Sequence, residues 1–418
     1  ISFNELAGTT RGIHAEPWDK YISVATGRIF GAWVDLREGP SFGTVFTAEM
    51  GPDTAIFIPR GVGNAFQTLE DNTAYTYLVN DHWSADAQGQ YTFLNLADET
   101  AAIRWPIPLE QAELSDKDRA HPRLADVVPM PPKKILVLGA DGQLGRALRA
   151  EYDGAGNVEF AARTDFDLTD PESFASRNWK NYSAVINAAA YTAVDAAETA
   201  EGRVAAWAIN AAAAARLARV AAQHRITLVQ VSSDYVFDGT VPLHGEDEPF
   251  SPLGVYGQSK AAGDAAVSAV PAHYIVRTSW VIGDGSNFVK TMASLAARGI
   301  SPSVVNDQIG RLTFTGDLAA GIRYLLESGA PYGTYNLTNS GPEASWAEIA
   351  AEVFELAGRS RTDVTGVTTA EYFAGKEGVA PRPLRSTLDL GKLEAAGFVP
   401  EAASKRLESY VRNLGENS

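Results

Sequence analysis

Two different patterns of apolar and polar residues divide this chain near residues 129–132, which read Pro-Met-Pro-Pro. Before that point, short β-rich runs alternate with turns rich in Gly, Pro and Asp, which predicts an antiparallel barrel or sandwich. The predicted strands cover residues 21–25, 29–35, 43–49, 55–58 and 74–79. After that point, apolar strands alternate with alanine-rich helical stretches, a pattern typical of a parallel sheet with crossover helices. We therefore expect a front domain over residues 1–128, a proline-rich linker over 129–132 and a rear domain over 133–418.

Composition and charge argue against several classes of binding protein and exclude cysteine chemistry. The 418 residues carry a formal net charge of −16, which argues against binding to nucleic acid or to an anionic membrane surface. The chain has no cysteine, so disulfides, thiolate catalysis and cysteine-ligated zinc are excluded, and no other residue pattern indicates a metal. No apolar stretch is long enough to span a bilayer and no signal-peptide pattern is present, so a cytoplasmic enzyme is expected.

The rear half opens with a nucleotide-binding pattern. Residues 134–138 (KILVL) predict a buried strand, and Gly139, Gly142 and Gly145 follow it directly before a predicted helix. Glycines permit a tight turn and let the backbone approach a pyrophosphate at the helix N-terminus, as in dinucleotide-binding folds. An ordinary turn is the alternative, but the strand before it and the helix after it favour dinucleotide binding.

The second predicted strand of the rear half, residues 158–162, bears on the choice of dinucleotide. It ends at Arg163 and Asp165. An acidic residue about 20 positions after the glycine loop binds the ribose 2′-hydroxyl of NAD, whereas an arginine accepts the 2′-phosphate of NADP. Because both residue types are present, NADPH is preferred and NADH stays an alternative. The alternative for Arg163 is a solvated charge at the end of a strand.

A tyrosine and a lysine suited to carbonyl reduction follow the fourth predicted strand, residues 227–231. That strand runs into Ser232 and Ser233, and polar residues at the carboxyl end of a parallel strand face the ligand crevice. Tyr256 and Lys260 lie four residues apart, on one face of a predicted helix. A nearby ammonium favours the phenolate, so we expect a lowered pKa at Tyr256 and proton exchange near neutral pH. The spacing alone also occurs on ordinary solvated helices.

Seven segments give the rear half a specific resemblance. They read GADGQLG, FDLTDPE, INAAAYTAVDAAE, SSDYVFDG, PLGVYGQSKAAGD, RTSWV and VNDQIGRLT. With them, this half resembles the dTDP-4-dehydrorhamnose reductases among the extended short-chain dehydrogenase/reductases. The resemblance implies a Rossmann fold with a small C-terminal substrate-binding cap. Amphipathic helical patterns at residues 287–298, 317–326, 346–356 and 401–413 fit that cap.

The resemblance also implies roles for individual residues. Ser233, Tyr256 and Lys260 form the catalytic triad, with Ser233 where many members carry threonine, and Lys260 also holds the nicotinamide ribose. The residues assigned to the cofactor are Gly139, Gly142, Gln143, Leu144, Gly145, Arg163, Asp167, Leu168, Ala188, Ala189, Tyr191 and Lys260. The residues assigned to a sugar-nucleotide substrate are Asp234, Tyr235, Trp280, Asn306, Gln308 and Arg311. A core position for Trp280 and a turn cap for Asp234 are the alternatives.

The front half carries a weaker resemblance. A lone histidine such as His14 is more often structural than catalytic, but Lys20 and the segments VDLREGPSFG, IPRGVGNAF, TAYTYLVND and LSDKD follow it. In this order they resemble dTDP-4-dehydrorhamnose 3,5-epimerase, a cupin-like β-barrel. The resemblance implies a base at His14, a carboxylate at Asp118 that orients it, and an acid at Tyr77 on the opposite face of the sugar. It also implies that Arg11 and Lys20 bind phosphate or the enolate oxygen.

These residue types suit epimerisation beside a ketone, which needs a base, an acid and a stabiliser of the enolate. A neutral imidazole backed by a carboxylate is a suitable base near pH 7. Two positions depart from the family: Asn64 stands where histidine is usual, and Leu78 stands where lysine often follows the acid. Few residues precede Arg11 compared with the family. These departures bear on the rate or substrate range of the epimerase but leave the base, the acid and the carboxylate in place.

The sequence therefore predicts a fused, bifunctional enzyme of dTDP-L-rhamnose synthesis for cell wall polysaccharide. The front domain would epimerise C3 and C5, and the rear domain would reduce the C4 ketone with NAD(P)H. Fusion raises the effective concentration of an unstable keto-sugar at the second site. One alternative is a reductase whose front barrel serves dimerisation or substrate binding, and another is an NADP-binding regulatory subunit. A homodimer through the front barrel is expected, and Mg²⁺, used by some reductases of this family, is not indicated by a ligand cluster.

Overall fold

The computed structural model describes residues 1–81 and 85–416. It divides into two compact units, a front unit of Ile1–Pro132 and a rear unit that begins at Lys133. Within the described ranges, no helix combines the length and the apolar character needed to cross a membrane.

The front unit is built from two antiparallel sheets. Its strands are β1 (Ser2–Asn4), β2 (Thr10–Ala15), β3 (Lys20–Thr26), β4 (Ile29–Asp35), β5 (Val45–Met50), β6 (Ala55–Ile58), β7 (Val62–Thr68), β8 (Thr73–Val79) and β9 (Thr92–Phe93). The sheets are ordered β1-β8-β3-β6 and β5-β4-β7-β2-β9. Two short helices are present, α1 (Ala85–Gln88) and α2 (Asp116–Arg119). The prediction of an all-β, cupin-like front domain is confirmed.

The central strands β4 and β7 of the five-stranded sheet carry consecutive buried residues, and since successive side chains of a strand point to opposite sides, both faces of these strands are covered. Trp33 of β4 lies on one face and packs with residues of the other sheet, among them Ile22. Its neighbour Val34 lies on the opposite face and packs with the chain that follows β9, including Leu94. Strand β2 pairs with β7 on one side and with β9 on the other, and this pairing fixes the position of His14.

The proline-rich segment belongs to the front unit and is not a free linker. Met130 is buried and packs in the front core with Leu36 and Leu124. The backbone N–H of Met130 donates to the carbonyl of Leu36 at 2.8 Å, and its own carbonyl accepts from the N–H of Glu38 at 2.9 Å. The apolar side chain between the prolines thus carries the front unit past the predicted boundary at residue 128 to Pro132.

The rear unit alternates strands and helices. Its strands are β10 (Lys134–Leu138), β11 (Val158–Ala161), β12 (Tyr182–Asn187), β13 (Thr227–Ser233), β14 (His273–Thr278), β15 (Val281–Ile282), β16 (Ser303–Val305), β17 (Ile309–Gly310), β18 (Thr313–Phe314), β19 (Gly333–Asn336), β20 (Ala344–Ser345) and β21 (Thr365–Val367). Its helices are α3 (Gln143–Glu151), α4 (Pro171–Ala175), α5 (Ala200–Ala206), α6 (Ala213–His224), α7 (Val255–Val267), α8 (Phe288–Ala297), α9 (Thr315–Ser328), α10 (Trp346–Leu356), α11 (Thr369–Phe373), α12 (Gly391–Ala395) and α13 (Ala403–Glu416).

Six parallel strands form the central sheet of the rear unit, in the order β11-β10-β12-β13-β14-β19. Alternate residues of β10 pack into two different hydrophobic cores. Leu136 packs with Leu217 of α6, while Val137 packs with Leu148 of α3 and Leu318 of α9. The strand order reverses between β10 and β12, and sheets of this kind bind ligands at the carboxyl ends beside that switch point. The predicted Rossmann-type fold is confirmed.

A third core of the rear unit joins helices that follow the sheet. Val289 of α8, Val353 of α10 and Leu407 of α13 pack together in it. Strand β14 leads into this region through Trp280, whose ring packs against the same core. This cluster corresponds to the predicted C-terminal cap.

Candidate active sites

The glycine loop of the rear unit forms a close turn between β10 and α3. Gly139 has φ +79°, a left-handed conformation that favours glycine, and a Cβ there would lie 2.7 Å from the backbone nitrogen of Ala189. A Cβ on Gly145 would collide with the carbonyl oxygen of Gly139. Gly142 caps the N-terminus of α3. The loop therefore has no room for a side chain at Gly139 or Gly145, where backbone segments approach each other closely.

A cavity of about 790 Å³ opens at the carboxyl ends of the parallel strands. The predicted residues among its walls are Gly139, Gly142, Gln143, Leu144, Arg163, Asp167, Leu168, Ala188, Ala189, Ser233, Asp234, Tyr235, Tyr256, Lys260 and Trp280. The same cavity is thus bordered by the glycine loop at one end and by the serine, tyrosine and lysine at the other. Its size and its long, mostly apolar lining suit a dinucleotide together with part of a second ligand.

Ser233, Tyr256 and Lys260 meet on one wall of this cavity. Ser233 is the last residue of β13, and its hydroxyl lies close enough to the phenol of Tyr256 to influence its pKa. Tyr256 and Lys260 lie one turn apart on α7, and the Nζ of Lys260 donates to the carbonyl oxygen of Val231 at 2.6 Å. The strand end and the helix therefore place a hydroxyl, a phenol and an ammonium side by side.

The pKa of Tyr256 differs from the sequence-based expectation. Burial raises the pKa of Tyr256 to about 12, and the hydrogen bond with Ser233 only partly offsets this shift. Burial lowers the pKa of Lys260 to about 8, although Asp264 acts in the opposite direction. The predicted lowering of the Tyr256 pKa is therefore wrong for this structure, since desolvation by burial decides the direction of the shift. Tyr256 is held in its neutral form, which is the form that donates a proton.

Asp234 and Tyr235 extend the same wall. The Ser233 hydroxyl donates to Oδ1 of Asp234 at 2.9 Å, and its oxygen accepts from the N–H of Tyr235 at 3.2 Å. Burial raises the pKa of Asp234 to about 6. The rings of Tyr235 and Tyr256 meet edge to face with centroids 5.4 Å apart. Asp234 thus orients the Ser233 hydroxyl as well as lining the cavity.

Trp280 and Trp346 form an aromatic wall that the sequence predicted only in part. Trp280 stacks on Trp346 with ring centroids 3.8 Å apart, and both rings line the cavity. Trp346 starts α10, far along the chain, so no local pattern linked it to this site. Thr278 and Ser279 also line the cavity and were missed, although their place after a parallel strand is a signal that could have found them.

Arg163 and Asp167 lie at the other end of the cavity. Their side chains form an ion pair of 3.4 Å between Arg163 Nε and Asp167 Oδ2, and the Arg163 side chain is 79% exposed. Two hydrogen bonds from Thr169, from its hydroxyl and its backbone N–H, lower the pKa of Asp167. Because an exposed ion pair contributes little free energy, the guanidinium can leave Asp167 and turn toward a ligand phosphate.

Five predicted binding residues do not line this cavity. Gly145 is buried against the glycine loop, and Tyr191 packs beside Tyr256 and Val255. The amide nitrogen of Gln308 donates to the Thr369 hydroxyl at 3.0 Å. The remaining two are Asn306, which is exposed after β16, and Arg311, whose guanidinium donates to the carbonyl of Leu388.

The front unit contains a histidine–carboxylate pair. Nε2 of His14 lies 2.8 Å from Oδ1 of Asp118, which is buried at the start of α2 while the imidazole is partly exposed. The Ser115 hydroxyl caps that helix by accepting from the N–H of Asp118. Burial acts to raise the pKa of Asp118, but the hydrogen bond and charge of His14 outweigh it, so the net shift is downward. The carboxylate therefore stays ionised behind the imidazole.

Two rings beside this pair were missed from the sequence. His121 lies with its ring centroid 5.3 Å from that of His14, and Phe93 lies 5.6 Å from His14 and stacks on His121 at 4.7 Å. The ligand atoms of His14, Asp118 and His121 lie within 4.8 Å of one another, a grouping that the sequence did not reveal. The hydrogen bond between His14 and Asp118 uses two of these atoms, which favours proton transfer as the role of the group.

Tyr77 and Lys20 lie on neighbouring strands, β8 and β3. The Nζ of Lys20 is 5.7 Å from the centre of the Tyr77 ring, and Lys20 also pairs with Glu16. Burial lowers the pKa of Lys20 to about 8. On the histidine side, the ring of Tyr91 lies 5.7 Å from that of Phe93, which in turn contacts His14.

The remaining predicted residues of the front unit have other partners. Arg11 forms an ion pair with Glu113 at 3.0 Å. Asn64 is buried, where its oxygen accepts from the Trp33 indole at 3.0 Å and its nitrogen donates to the Tyr75 hydroxyl at 3.1 Å. Because both polar atoms of the Asn64 side chain have hydrogen-bond partners inside the sandwich, these bonds account for its position without a role in proton transfer.

Comparison with known proteins is consistent with this division. The model of the RmlD substrate binding domain family matches residues 133–415, and that of dTDP-4-dehydrorhamnose 3,5-epimerase matches residues 1–126. A dTDP-4-dehydrorhamnose reductase of Aggregatibacter actinomycetemcomitans is 36% identical over 66% of this chain and 99% of its own length. The front unit is 51% identical to the protein RmlC homolog of Streptococcus pyogenes over 30% of this chain, and it spans 64% of that protein's length.

Among solved structures, the dTDP-4-dehydrorhamnose reductase of Bacillus anthracis, in complex with NADP, is similar with a TM-score of 0.61. It is 32% identical, and the match covers 69% of this chain and all of that one. The family model matches well over half of the chain and coincides with the unit that carries the cavity. The chain therefore belongs to the RmlD substrate binding domain family.

Proposed function

We propose that this chain carries out two consecutive reactions of dTDP-L-rhamnose synthesis, epimerisation at C3 and C5 in the front unit and reduction at C4 in the rear unit. The observation that carries this proposal is the presence, on one polypeptide, of a histidine–carboxylate pair and of a separate Ser233, Tyr256 and Lys260 wall. The names of the relatives of both units support it. The substrate is dTDP-4-dehydro-6-deoxyglucose, and its epimer passes to the reductase.

The rear cavity fits a dinucleotide on the structure's own features. A Cβ at Gly139 would close the turn against Ala189, so the loop leaves backbone where a pyrophosphate needs it. NADPH, when bound, supplies the hydride for the C4 carbon. Arg163 would hold its 2′-phosphate, and the exposure of this guanidinium supports NADPH over NADH.

In the reductase, the chain's own residues supply a proton and hold the carbonyl. Tyr256, neutral because burial raises its pKa to about 12, donates its proton to the C4 oxygen. The Ser233 hydroxyl, whose proton Asp234 accepts in the structure, turns to donate that proton to the same oxygen when the substrate is bound. The Lys260 ammonium offsets the negative charge that develops on the phenol as the proton leaves.

In the epimerase, His14 removes the proton beside the ketone. Asp118 holds one ring nitrogen, which leaves the other nitrogen as the base and stabilises the imidazolium that forms. Tyr77 returns a proton on the opposite face, and the nearby Lys20 ammonium stabilises charge on the enolate oxygen.

A second copy of the chain is the proposed partner of the front unit. Tyr21, Phe57 and Leu78 are paired across β3, β6 and β8 and are all exposed, so they form one apolar row on the outer face of the four-stranded sheet. Such a row favours burial against another surface. Light scattering of Phe57→Glu tests this: a wild-type dimer and a variant monomer are expected, whereas a dimeric variant contradicts the proposal.

One assay tests the two-step proposal. Wild-type chain is mixed with NADPH and dTDP-4-dehydro-6-deoxyglucose, and NADPH oxidation and the sugar product are followed. We expect dTDP-L-rhamnose from this chain alone, and His14→Ala should form product only when a separate epimerase is added. If wild type also needs the separate epimerase, the front unit is not a competent epimerase. If NADPH is not oxidised even then, the reductase assignment fails and an NADP-binding regulatory role gains support.

A further inference from the structure

A fully buried carboxylate, Asp264, lies one turn beyond Lys260 on α7. An ionised carboxylate in such a place is unfavourable unless cations or hydrogen bonds compensate it. Arg277 of β14 supplies one such partner, since its Nε donates to Oδ2 of Asp264 at 3.2 Å. Burial raises the pKa of Asp264, and the charges of Arg277 and of Lys260 both act against this shift. Asp264 therefore lies between a catalytic-site lysine and a structural arginine.

Arg277 is held in place by more than Asp264. Its Nη1 donates to the carbonyl oxygen of Glu246 at 2.8 Å, and its guanidinium lies 5.2 Å from the ring centres of Phe237 and Phe250. These contacts hold the guanidinium independently of Asp264. Arg277 thus anchors the carboxylate, while the charge of Asp264 also reaches the lysine.

The buried Lys260 side chain needs a nearby negative charge to stay protonated. Its side chain is buried, and its observed hydrogen bond goes to an uncharged group, the Val231 carbonyl at 2.6 Å. Burial lowers the pKa of Lys260, and Asp264 is the charge that acts against this shift. Other charged or titratable groups beside α7 or on it include Arg277 of β14, Asp234 after β13, Tyr256 on the same helix, and Glu198, whose Oε1 accepts from the Val255 N–H at the start of α7. Arg277 carries the wrong sign to keep Lys260 protonated.

We propose that Asp264 is a positioning residue that keeps Lys260 in its ammonium form in the reductase site. The inference rests on the proposed reductase function and adds a residue that lines no part of the cavity. Because a carboxylate raises the pKa of an ammonium beside it, losing Asp264 makes Lys260 lose its proton at lower pH. Reduction then fails at lower pH as well, since the ammonium is the active form.

The test is the pH dependence of reductase kcat/KM in Asp264→Asn, which keeps the shape and removes the charge. In wild type, kcat/KM should fall as the pH rises through about 8, the pKa of Lys260. In Asp264→Asn the midpoint of this fall should move down by about 1 pH unit or more, the usual effect of one nearby charge. An unchanged midpoint overturns the proposal.

A double variant separates this role from the pairing with Arg277. Asp264→Asn with Arg277→Met removes both charges, so the arginine is no longer left buried without a counter-ion. If Asp264 acts on Lys260, the double variant should have a lower midpoint than Arg277→Met alone, which controls for the loss of the arginine's own charge. Equal midpoints in the double variant and in Arg277→Met would show that Asp264 serves Arg277 alone and would overturn the proposal. If Asp264→Asn does not fold on its own, the pH profile is measured on the double variant instead.

A titration without turnover keeps this inference distinct from the proposed function. With ¹³C-labelled lysine, the Lys260 signal is assigned by its loss in Lys260→Met and followed against pH by NMR. We expect a lower midpoint in Asp264→Asn than in wild type, and a lower midpoint in the double variant than in Arg277→Met. If wild type reduces no keto-sugar at any pH, the proposed function fails, while this titration still decides whether Asp264 sets the charge of Lys260.

Discussion

Nε2 of His14 donates to Oδ1 of Asp118 across 2.8 Å, from a partly exposed imidazole to a buried carboxylate. This arrangement leaves the second ring nitrogen as the base and keeps the negative charge out of water. The pair lies entirely within the front unit, so its chemistry can be separated from that of the reductase.

Asp118→Asn should impair epimerisation without affecting reduction. The amide keeps the shape but no longer stabilises the imidazolium, so the epimerisation rate should fall by about 10²- to 10⁴-fold, the usual contribution of acid–base groups. The measurement is epimerisation without NADPH, with reduction of pre-epimerised sugar as the control. Full epimerase activity in the variant would remove Asp118 from the mechanism.

Tyr256→Phe should abolish reduction but retain NADPH binding. The phenol is the proton donor, so its loss should lower reductase kcat by about 10²- to 10⁴-fold. The ring and its edge-to-face contact with Tyr235 remain. Stopped-flow NADPH oxidation and fluorescence titration of NADPH give the two values. Unchanged turnover would show that another group donates the proton.

Gly139→Ala should weaken NADPH binding through a steric clash. Its Cβ would lie 2.7 Å from the Ala189 backbone nitrogen, and the left-handed φ of +79° adds about 1–2 kcal/mol of strain. Gly154→Ala is the matched control, because Gly154 has φ +77° with nothing within 4 Å of the added Cβ. Calorimetry should show weaker NADPH binding for Gly139→Ala alone. Equal NADPH affinities in the two variants would contradict the proposed role of the Gly139 turn in binding the pyrophosphate.

Arg163→Met should lower the affinity for NADPH but not for NADH. Loss of one charge-assisted contact to the 2′-phosphate corresponds to about 1.5–3 kcal/mol, or roughly 10- to 100-fold in Kd. Arg149→Met, an exposed arginine on α3 outside the cavity, is the control. If both dinucleotides lose affinity equally, Arg163 does not read the 2′-phosphate.

Local pattern predicted the strand ends and the helix that carry Ser233, Tyr256 and Lys260, because hydrophobic period and residue spacing are properties of a few neighbouring residues. Trp346 was missed because packing alone brings it to Trp280 from a distant part of the chain. His121 follows the predicted Asp118 by three residues, but its contact with His14 depends on the fold and was missed for that reason. The sign of the Tyr256 pKa shift was also missed. Spacing indicates which group is near, but the extent of burial decides whether desolvation or charge prevails.

The central claim, that one chain is both epimerase and reductase, is tested most directly by isotope exchange. The wild-type chain is incubated with dTDP-4-dehydro-6-deoxyglucose in D₂O without NADPH, and C3 and C5 are followed by NMR. We predict deuterium at both carbons in wild type and in Tyr256→Phe, and none beyond the enzyme-free rate in His14→Ala. Absence of exchange in wild type, with reduction of pre-epimerised sugar intact, would contradict the claim.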